Sequence, residues 1–254
     1  MTVLLDVKNV TVHFGGVHAL TDVSFQVMAD EFLCLIGPNG AGKTTMLKAI
    51  TGVVQPQKAH ITLNKKNITK YPTFKRIRMG LALTHQIVRP FYSMTLKDNV
   101  ALAAGHRRIR NIFGALTSSG RRREHERAVE LLDLVGIGEH ADQMVTGQPL
   151  GVLKRLEVAR ALALNPKLLL LDEPLAGLNQ IEAERLADTV ALINRQGMTI
   201  VMIEHNLSEV LRIGKRLVVL DNGRKIAEGM PGQVMRMPNV RAAYVGKEAE
   251  NVTA

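Results

Sequence analysis

The chain has 254 residues, 46% of them hydrophobic, enough to bury the core of one large α/β domain, alone or with a small helical companion. Its 33 Lys and Arg against 23 Asp and Glu give a net charge of +10, which suits phosphate ligands, anionic lipid or nucleic acid without choosing among them. No run approaches the roughly 18 uninterrupted apolar residues of a membrane-spanning helix, and the N-terminal "MTVLLDVKNV" lacks the layout of a secretory signal, so a cytoplasmic protein is expected.

Along the chain, "VLLDVKNVTVHF" and "VSFQV" alternate like antiparallel strands. "EFLCLIG" reads as a buried strand, which puts the single cysteine, Cys34, in the core and leaves no intrachain disulfide. Directly after it, "GPNGAGKTT" (residues 37–45) matches G-x-x-x-x-G-K-[ST] at every fixed position and leads into the helix-like "TTMLKAITG". Gly37, Pro38, Asn39, Gly40, Ala41, Gly42, Lys43, Thr44 and Thr45 are therefore candidate nucleotide ligands. Gly40 and Gly42 let the backbone curl so that its N–H groups face the β-phosphate, and the helix start adds the positive end of its dipole. Lys43 reaches the β- and γ-phosphates, and Thr44 can ligate Mg²⁺. The sequence "NKKN" at 64–67 fails the guanine-reading pattern N-K-x-D, which argues against a GTPase.

"LTHQIVRPF" then supplies Gln86, a neutral side chain able to touch a Mg²⁺ shell or the attacking water from a loop. From about residue 92 to 165 helical patterning replaces strand patterning, as expected for an insertion in an α/β core. Within it, "GHRRIRNIFGALTSSGRRREHER" carries seven arginines. Two readings are open: a solvated face, or a contact with lipid head groups or an acidic partner loop. Nucleic acid fits less well, since Phe113 is the one aromatic among these cations.

Beyond the insertion, "LLLLDEP" ends a leucine strand in two carboxylates. Asp172 is placed to hold the magnesium shell and Glu173 to polarise the attacking water. "IVMIEHN" puts His205 at the end of another buried strand, where it can bond a γ-phosphate oxygen and sense its loss. The alternation of buried strands with amphipathic runs defines an α/β chain built on a largely parallel sheet.

Residues 37–45, Gln86, 148–152, 172–174, 176–179 and His205 resemble, in order and spacing, the P-loop, glutamine loop, signature, carboxylate strand end, following loop and switch histidine of the nucleotide-binding subunits of ATP-binding cassette (ABC) transporters. The resemblance spans nearly the whole chain. It implies a P-loop NTPase core with an N-terminal antiparallel β subdomain and an inserted α-helical subdomain. Residues 1–254 then form one ATPase domain, with 1–91 and 166–254 as its core and 92–165 as its helical part. It further implies ATP and Mg²⁺ as cofactors, with Thr44, Gln86 and Asp172 around the metal and Glu173, His205 and Gln86 around the reacting phosphate. Phe14, in "VHFGGVHAL", either stacks on adenine, as the resemblance implies, or is a core strand residue.

In that family two cassettes sandwich two nucleotides, each lying between the P-loop of one subunit and the signature of the other. The usual L-S-G-G-Q reads here as Gln148, Pro149, Leu150, Gly151 and Val152, with Gly151 the residue expected on the partner's nucleotide. Pro149 removes a hydroxyl and an N–H, and Leu150 takes positive φ only at a cost, both of which predict a weaker half-site. Proline also suits a first helical turn, and the helix start keeps its free N–H groups. Cassettes of branched-chain amino-acid importers often carry L-S-Y-G or L-P-Y-G here and continue into "RLEIARAL", much as "KRLEVARAL" does in this chain. A working signature is the expectation, although "AGLN" ends in Asn179 where many cassettes have aspartate.

The tail "PNVRAAYVG" and the long basic insertion point to the same subgroup. The resemblance thus implies an ATPase on the cytoplasmic face of the inner membrane, peripheral to it, that powers an amino-acid importer. Its partners are transmembrane permease subunits, a second cassette in a homo- or heterodimer and, indirectly, a periplasmic or extracellular substrate-binding protein. Cassettes for urea or amides and for lipid export are alternatives. A nucleic-acid or ribosome-associated cassette usually has two P-loops or a long coiled coil, and neither is present, so no nucleic-acid partner is expected.

Overall fold

The computed structural model describes residues 2–105 and 119–250. Two sheets form its frame. Strands β1 (Val3–Phe14), β2 (Val17–Met28), β4 (Lys58–Leu63) and β5 (Lys66–Asn67) make an antiparallel sheet in the order β2-β1-β4-β5. The second has six strands: β3 (Phe32–Ile36), β6 (Leu81–Leu83), β7 (Leu168–Asp172), β8 (Thr199–Ile203), β9 (Arg216–Asp221) and β10 (Arg224–Gly229). Its order is β10-β9-β3-β8-β7-β6, with every pair parallel except the β9–β10 hairpin.

The apolar runs of β3, β7 and β8 are buried at every position because both faces of the six-stranded sheet are covered. Alternate side chains enter different cores. Phe32, Cys34, Leu169, Leu171, Ile200 and Met202 join one apolar cluster, while Leu33, Leu35, Leu168, Leu170, Val201 and Ile203 join another, shared with the antiparallel sheet. Cys34 is fully buried, and burial pushes its thiol up to about 12.

Helix α1 (Lys43–Thr51) follows β3 and ends at Gly52 in the left-handed conformation. Its far end is held by Arg76 of α2 (Thr73–Arg78), a fully buried guanidinium with no carboxylate partner among the described residues. Arg76 Nη1 donates to the Ala49 and Ile50 carbonyls at 2.7 Å each, Nε to Tyr71 O at 2.8 Å and Nη2 to Thr69 O at 2.7 Å. Main-chain carbonyls at a helix C-terminus carry negative partial charge, so they can solvate a buried cation.

Between β6 and β7, helices α3 (Leu96–Ala104), α4 (Ser119–Leu134) and α5 (Leu150–Ala163) pack on one another. Thr95 caps α3 by accepting from the Asp98 N–H. The middle of the arginine-rich stretch, residues 106–118, lies outside the described residues. After β7 come α6 (Gln180–Arg195), α7 (Leu207–Ile213), the short α8 (Pro231–Val234) and the C-terminal α9 (Pro238–Glu250). No helix among the described residues is long and apolar enough to cross a membrane.

Candidate active site

The sheet order places β3, β8 and β7 side by side and parallel, so the residues that follow them share one edge. That edge gathers the P-loop after β3, His205 after β8, and Asp172 and Glu173 at the end of β7.

In the P-loop, glycine is required by two different constraints. A Cβ on Gly37 would lie 2.0 Å from Leu220 O of β9, and one on Gly42, at φ +98°, would lie 2.5 Å from Ala19 O. The loop is thus wedged between a core strand and the N-terminal hairpin. Lys43, buried at the start of α1, donates from Nζ to Gly37 O at 2.8 Å and Pro38 O at 2.9 Å. Asn39 and Gly40 are exposed at the loop tip, while Thr44 and Thr45 are half-buried on the first turn of α1. Phe14 ends β1 with half its surface exposed, paired across the hairpin with Val17, so it is not a core residue.

Asp172 is 8% exposed, and its Oδ1 has no hydrogen-bond partner among the described residues. Burial, and after it the Glu173 charge, holds its carboxyl above the usual range, with Lys48, His85 and Lys43 pulling it down. Glu173 has the positive φ of 49°, uncommon for a residue with a side chain. Its N–H donates to Ile203 O at 3.0 Å. Its carboxylate is gripped from both sides: Gln86 Nε2 donates to Oε2 at 2.6 Å, and His205 Nε2 lies 2.6 Å from Oε1. Of the three residues expected around the reacting phosphate, Gln86 and His205 therefore each meet the third, Glu173, directly.

Two charged residues in this cluster escaped the sequence reading. Glu204, 3% exposed, accepts from the N–H groups of Leu175 at 2.7 Å and His205 at 3.2 Å, which fastens the loop after Glu173 to the histidine. Burial raises its pKa, opposed by these main-chain donors and that of Asn206. Lys154, 4% exposed, donates from Nζ to Gln86 O at 2.8 Å and Glu173 O at 3.1 Å. Lys154 was readable in principle, because it stands three residues after Gly151 and four before Val158 on one helical stripe. Glu204 carries no such signal.

At the signature, Leu150 opens α5 as its first helical residue, and Gly147, three positions earlier, takes the left-handed φ of +84°. This corrects the expectation that Leu150 would need positive φ. Pro149 is the N-cap rather than a first-turn residue, and its carbonyl accepts from Val152 and Leu153 N–H at 3.1 Å each. Its missing N–H removes nothing from the helix ladder. Gln148 turns away, donating to Gln143 Oε1 and Met144 O. A Cβ on Gly151 would meet Glu182 Oε1 at 2.8 Å. Asn179 caps α6 by accepting from Glu182 N–H at 2.9 Å, while the Glu182 carboxylate returns to Asn179 N–H at 3.2 Å. Asparagine thus serves the capping role of aspartate with one negative charge fewer.

A glycine-rich loop closing onto a helix start beside two strand-end carboxylates and a histidine, on a parallel sheet, defines a P-loop ATPase. The family described as ABC transporter matches residues 20–176, and the chain belongs to it. It is accordingly an ATP-binding subunit whose family couples ATP hydrolysis to transport. It is 38% identical to the high-affinity branched-chain amino acid transport ATP-binding protein LivG of Salmonella typhimurium, over 96% of this chain and 98% of that one. It is 33% identical to the lipopolysaccharide export system ATP-binding protein LptB of Acidithiobacillus ferridurans, over 98% and 99%. Among solved structures, the ADP conformation of MJ1267, an ATP-binding cassette of an ABC transporter, superposes with a TM-score of 0.83 at 28% identity, covering 97% of this chain and all of that one. The cassette MJ0796, dimeric in a post-hydrolysis state with ADP and Pi, gives 0.76 at 25% identity over 90% and 99%.

Proposed function

We propose that this chain is the ATPase subunit of an importer for branched-chain or related amino acids, seated peripherally on the cytoplasmic face of the membrane. The observation that carries the substrate class is the near full-length match to LivG, ahead of the match to the lipopolysaccharide exporter subunit. Permease subunits, a second cassette and, through the permease, a substrate-binding protein are its partners.

Residues 37–45 cradle the phosphates, with Lys43 exchanging its two loop carbonyls for phosphate oxygens and Phe14 stacking on adenine. Glu173 is the general base, His205 the sensor of the γ-phosphate, and Gly151 with the α5 N-terminus closes on the partner subunit's nucleotide. Gln86 and His205 each occupy one site on a different Glu173 oxygen, and the second lone pair of each oxygen stays available for a water proton while both neighbours hold the carboxylate in place. The unpartnered, buried Asp172 Oδ1 is the kind of hard oxygen Mg²⁺ accepts, and Thr44 and Gln86 would complete the protein's share of its shell. Bound there, Mg²⁺ would supply positive charge against that of the nucleotide phosphates.

The loop after Gln86 is fastened to the signature helix: Arg89 N–H donates to Glu157 Oε1 at 3.2 Å, and Arg160 Nη1 donates to Arg89 O at 2.9 Å. Motion of α5 is thereby transmitted to a loop bearing the exposed Ile87, Phe91 and Tyr92, the surface proposed for the permease. The test is to tag the chain in its native cell, solubilise membranes in mild detergent and identify what co-purifies. Two polytopic membrane proteins and a second cassette, with ATP-dependent leucine uptake once reconstituted, are the expected result. Recovery with ribosomes or nucleic acid would overturn the transport role.

A further inference from the structure

Lys154 has no part in the nucleotide chemistry described so far, yet it is almost completely buried beside it. Its Nζ makes both of its hydrogen bonds to main-chain carbonyls, of Gln86 and of Glu173. Burial pulls its pKa below the usual lysine value, opposed by the negative charges of Glu204, Glu173, Glu157 and Asp172. Glu173 is the residue held at positive φ, a conformation that persists only where the surroundings impose it. The Glu173 peptide is tied on one side by its N–H to Ile203 O and on the other by its carbonyl to the Lys154 ammonium. The same ammonium ties down Gln86, whose side chain grips the Glu173 carboxylate. Lys154 also lies one turn inside α5, the helix whose first turn contains Gly151.

We propose that Lys154 is a positioning residue that relays closure of α5 on the partner subunit's nucleotide to Gln86 and Glu173 at the chain's own nucleotide. The proposal rests on Glu173 acting as general base. A helix moving as a rigid body carries Gly151 and Lys154 together, so engagement at one nucleotide sets the backbone of the base at the other. An ammonium suits this role because it offers several donors from a compact point, whereas a guanidinium imposes a planar fork. Lys154 touches no reacting atom; it acts through the Glu173 and Gln86 main chain.

The experiment compares Lys154→Met, Lys154→Arg and Glu173→Gln in the full chain, measuring kcat and KM for ATP, the Kd of a fluorescent ATP analogue, and the melting temperature. Lys154→Met should lower kcat by about 10- to 100-fold, the scale set by losing two charged hydrogen bonds to part-buried carbonyls, and leave the nucleotide Kd within about twofold. Lys154→Arg, which keeps charge and donors, should recover part of kcat. A Lys154→Met chain with wild-type kcat, beside an inactive Glu173→Gln chain, overturns the relay while leaving the base in place. So does a loss of nucleotide affinity that matches the loss of kcat, which marks a purely structural role. If Glu173→Gln keeps wild-type turnover, the base assignment itself fails. Should Lys154→Met not fold, Lys154→Gln, neutral but still a donor, is judged by the same split between kcat and Kd.

Discussion

The P-loop and the signature end of α5 are both phosphate sites, and they differ in how much sequence they need. The P-loop works through side chains and through clearances that only glycine meets: Gly37 abuts Leu220 O, Gly42 abuts Ala19 O, and Lys43 is buried among carbonyls. The signature end offers a helix N-terminus, a property of the backbone that survives Pro149 at the cap and Leu150 at the first turn.

The comparison is sharpened first at Glu173. Glu173→Gln should lower turnover by roughly 10²–10⁴-fold, the usual yield of general-base catalysis, with nucleotide binding retained. Steady-state ATPase alongside nucleotide titration checks both halves of that expectation.

The backbone account of the signature is broken or kept by Gly151→Asp in the assembled complex. The new carboxylate faces Glu182, whose Oε1 already lies 2.8 Å from the position of a Cβ, and it opposes the partner subunit's phosphates. ATPase should fall by about 100-fold, comparable to removing a preorganised donor from an anion site. An unchanged rate would mean that this helix end closes no hydrolytic site.

Phe14→Ala tests a smaller, side-chain contribution. Base stacking on an aromatic is worth about 1–3 kcal/mol, so the ATP dissociation constant should rise roughly 5- to 150-fold with melting unaffected. Equal affinity would remove Phe14 from the adenine site.

The smallest effect opposes function to stability. Asp172 and Glu204 have carboxyl pKa values raised above those of the unfolded chain, chiefly by burial. Just above the ordinary carboxylate range the folded chain keeps protons that the unfolded chain has lost, so stability should rise as pH falls through that window. Asp172→Asn, assayed without nucleotide, should melt higher at neutral pH, by about 2–4 °C for each kcal/mol released, and show a shallower pH slope while losing ATPase activity. A lower melting temperature would show that Asp172 is stabilised in a way its burial does not reveal.

Much of this was legible in the sequence. Buried strands announced themselves as unbroken apolar runs, and residues 37–45, Asp172, Glu173 and His205 by side-chain identity at fixed spacing. What stayed hidden was tertiary. Nothing in the sequence joins residue 86 to residue 154, and the family resemblance gathered Gln86, Glu173 and His205 around a phosphate without their direct pairing, which exists only once β6, β7 and β8 lie side by side. Leu150 was misjudged because it was weighed as a position of positive φ, whereas it is the first helical residue and the left-handed turn falls on Gly147. The β9–β10 hairpin did carry a signal, Asn222-Gly223, both at positive φ, that the sequence reading passed over.

The cage around Arg76 has a mechanical consequence. Helix α1 is a rod about 13–14 Å long with the P-loop at one tip. At the other tip, four hydrogen bonds tie it through one guanidinium to residues 69 and 71, beside the strands of the antiparallel sheet. A rod pinned at its rear does not recoil when its front is pulled. Force exerted on the phosphate loop during closure is therefore carried to the N-terminal sheet as displacement, instead of being lost as slack in the helix.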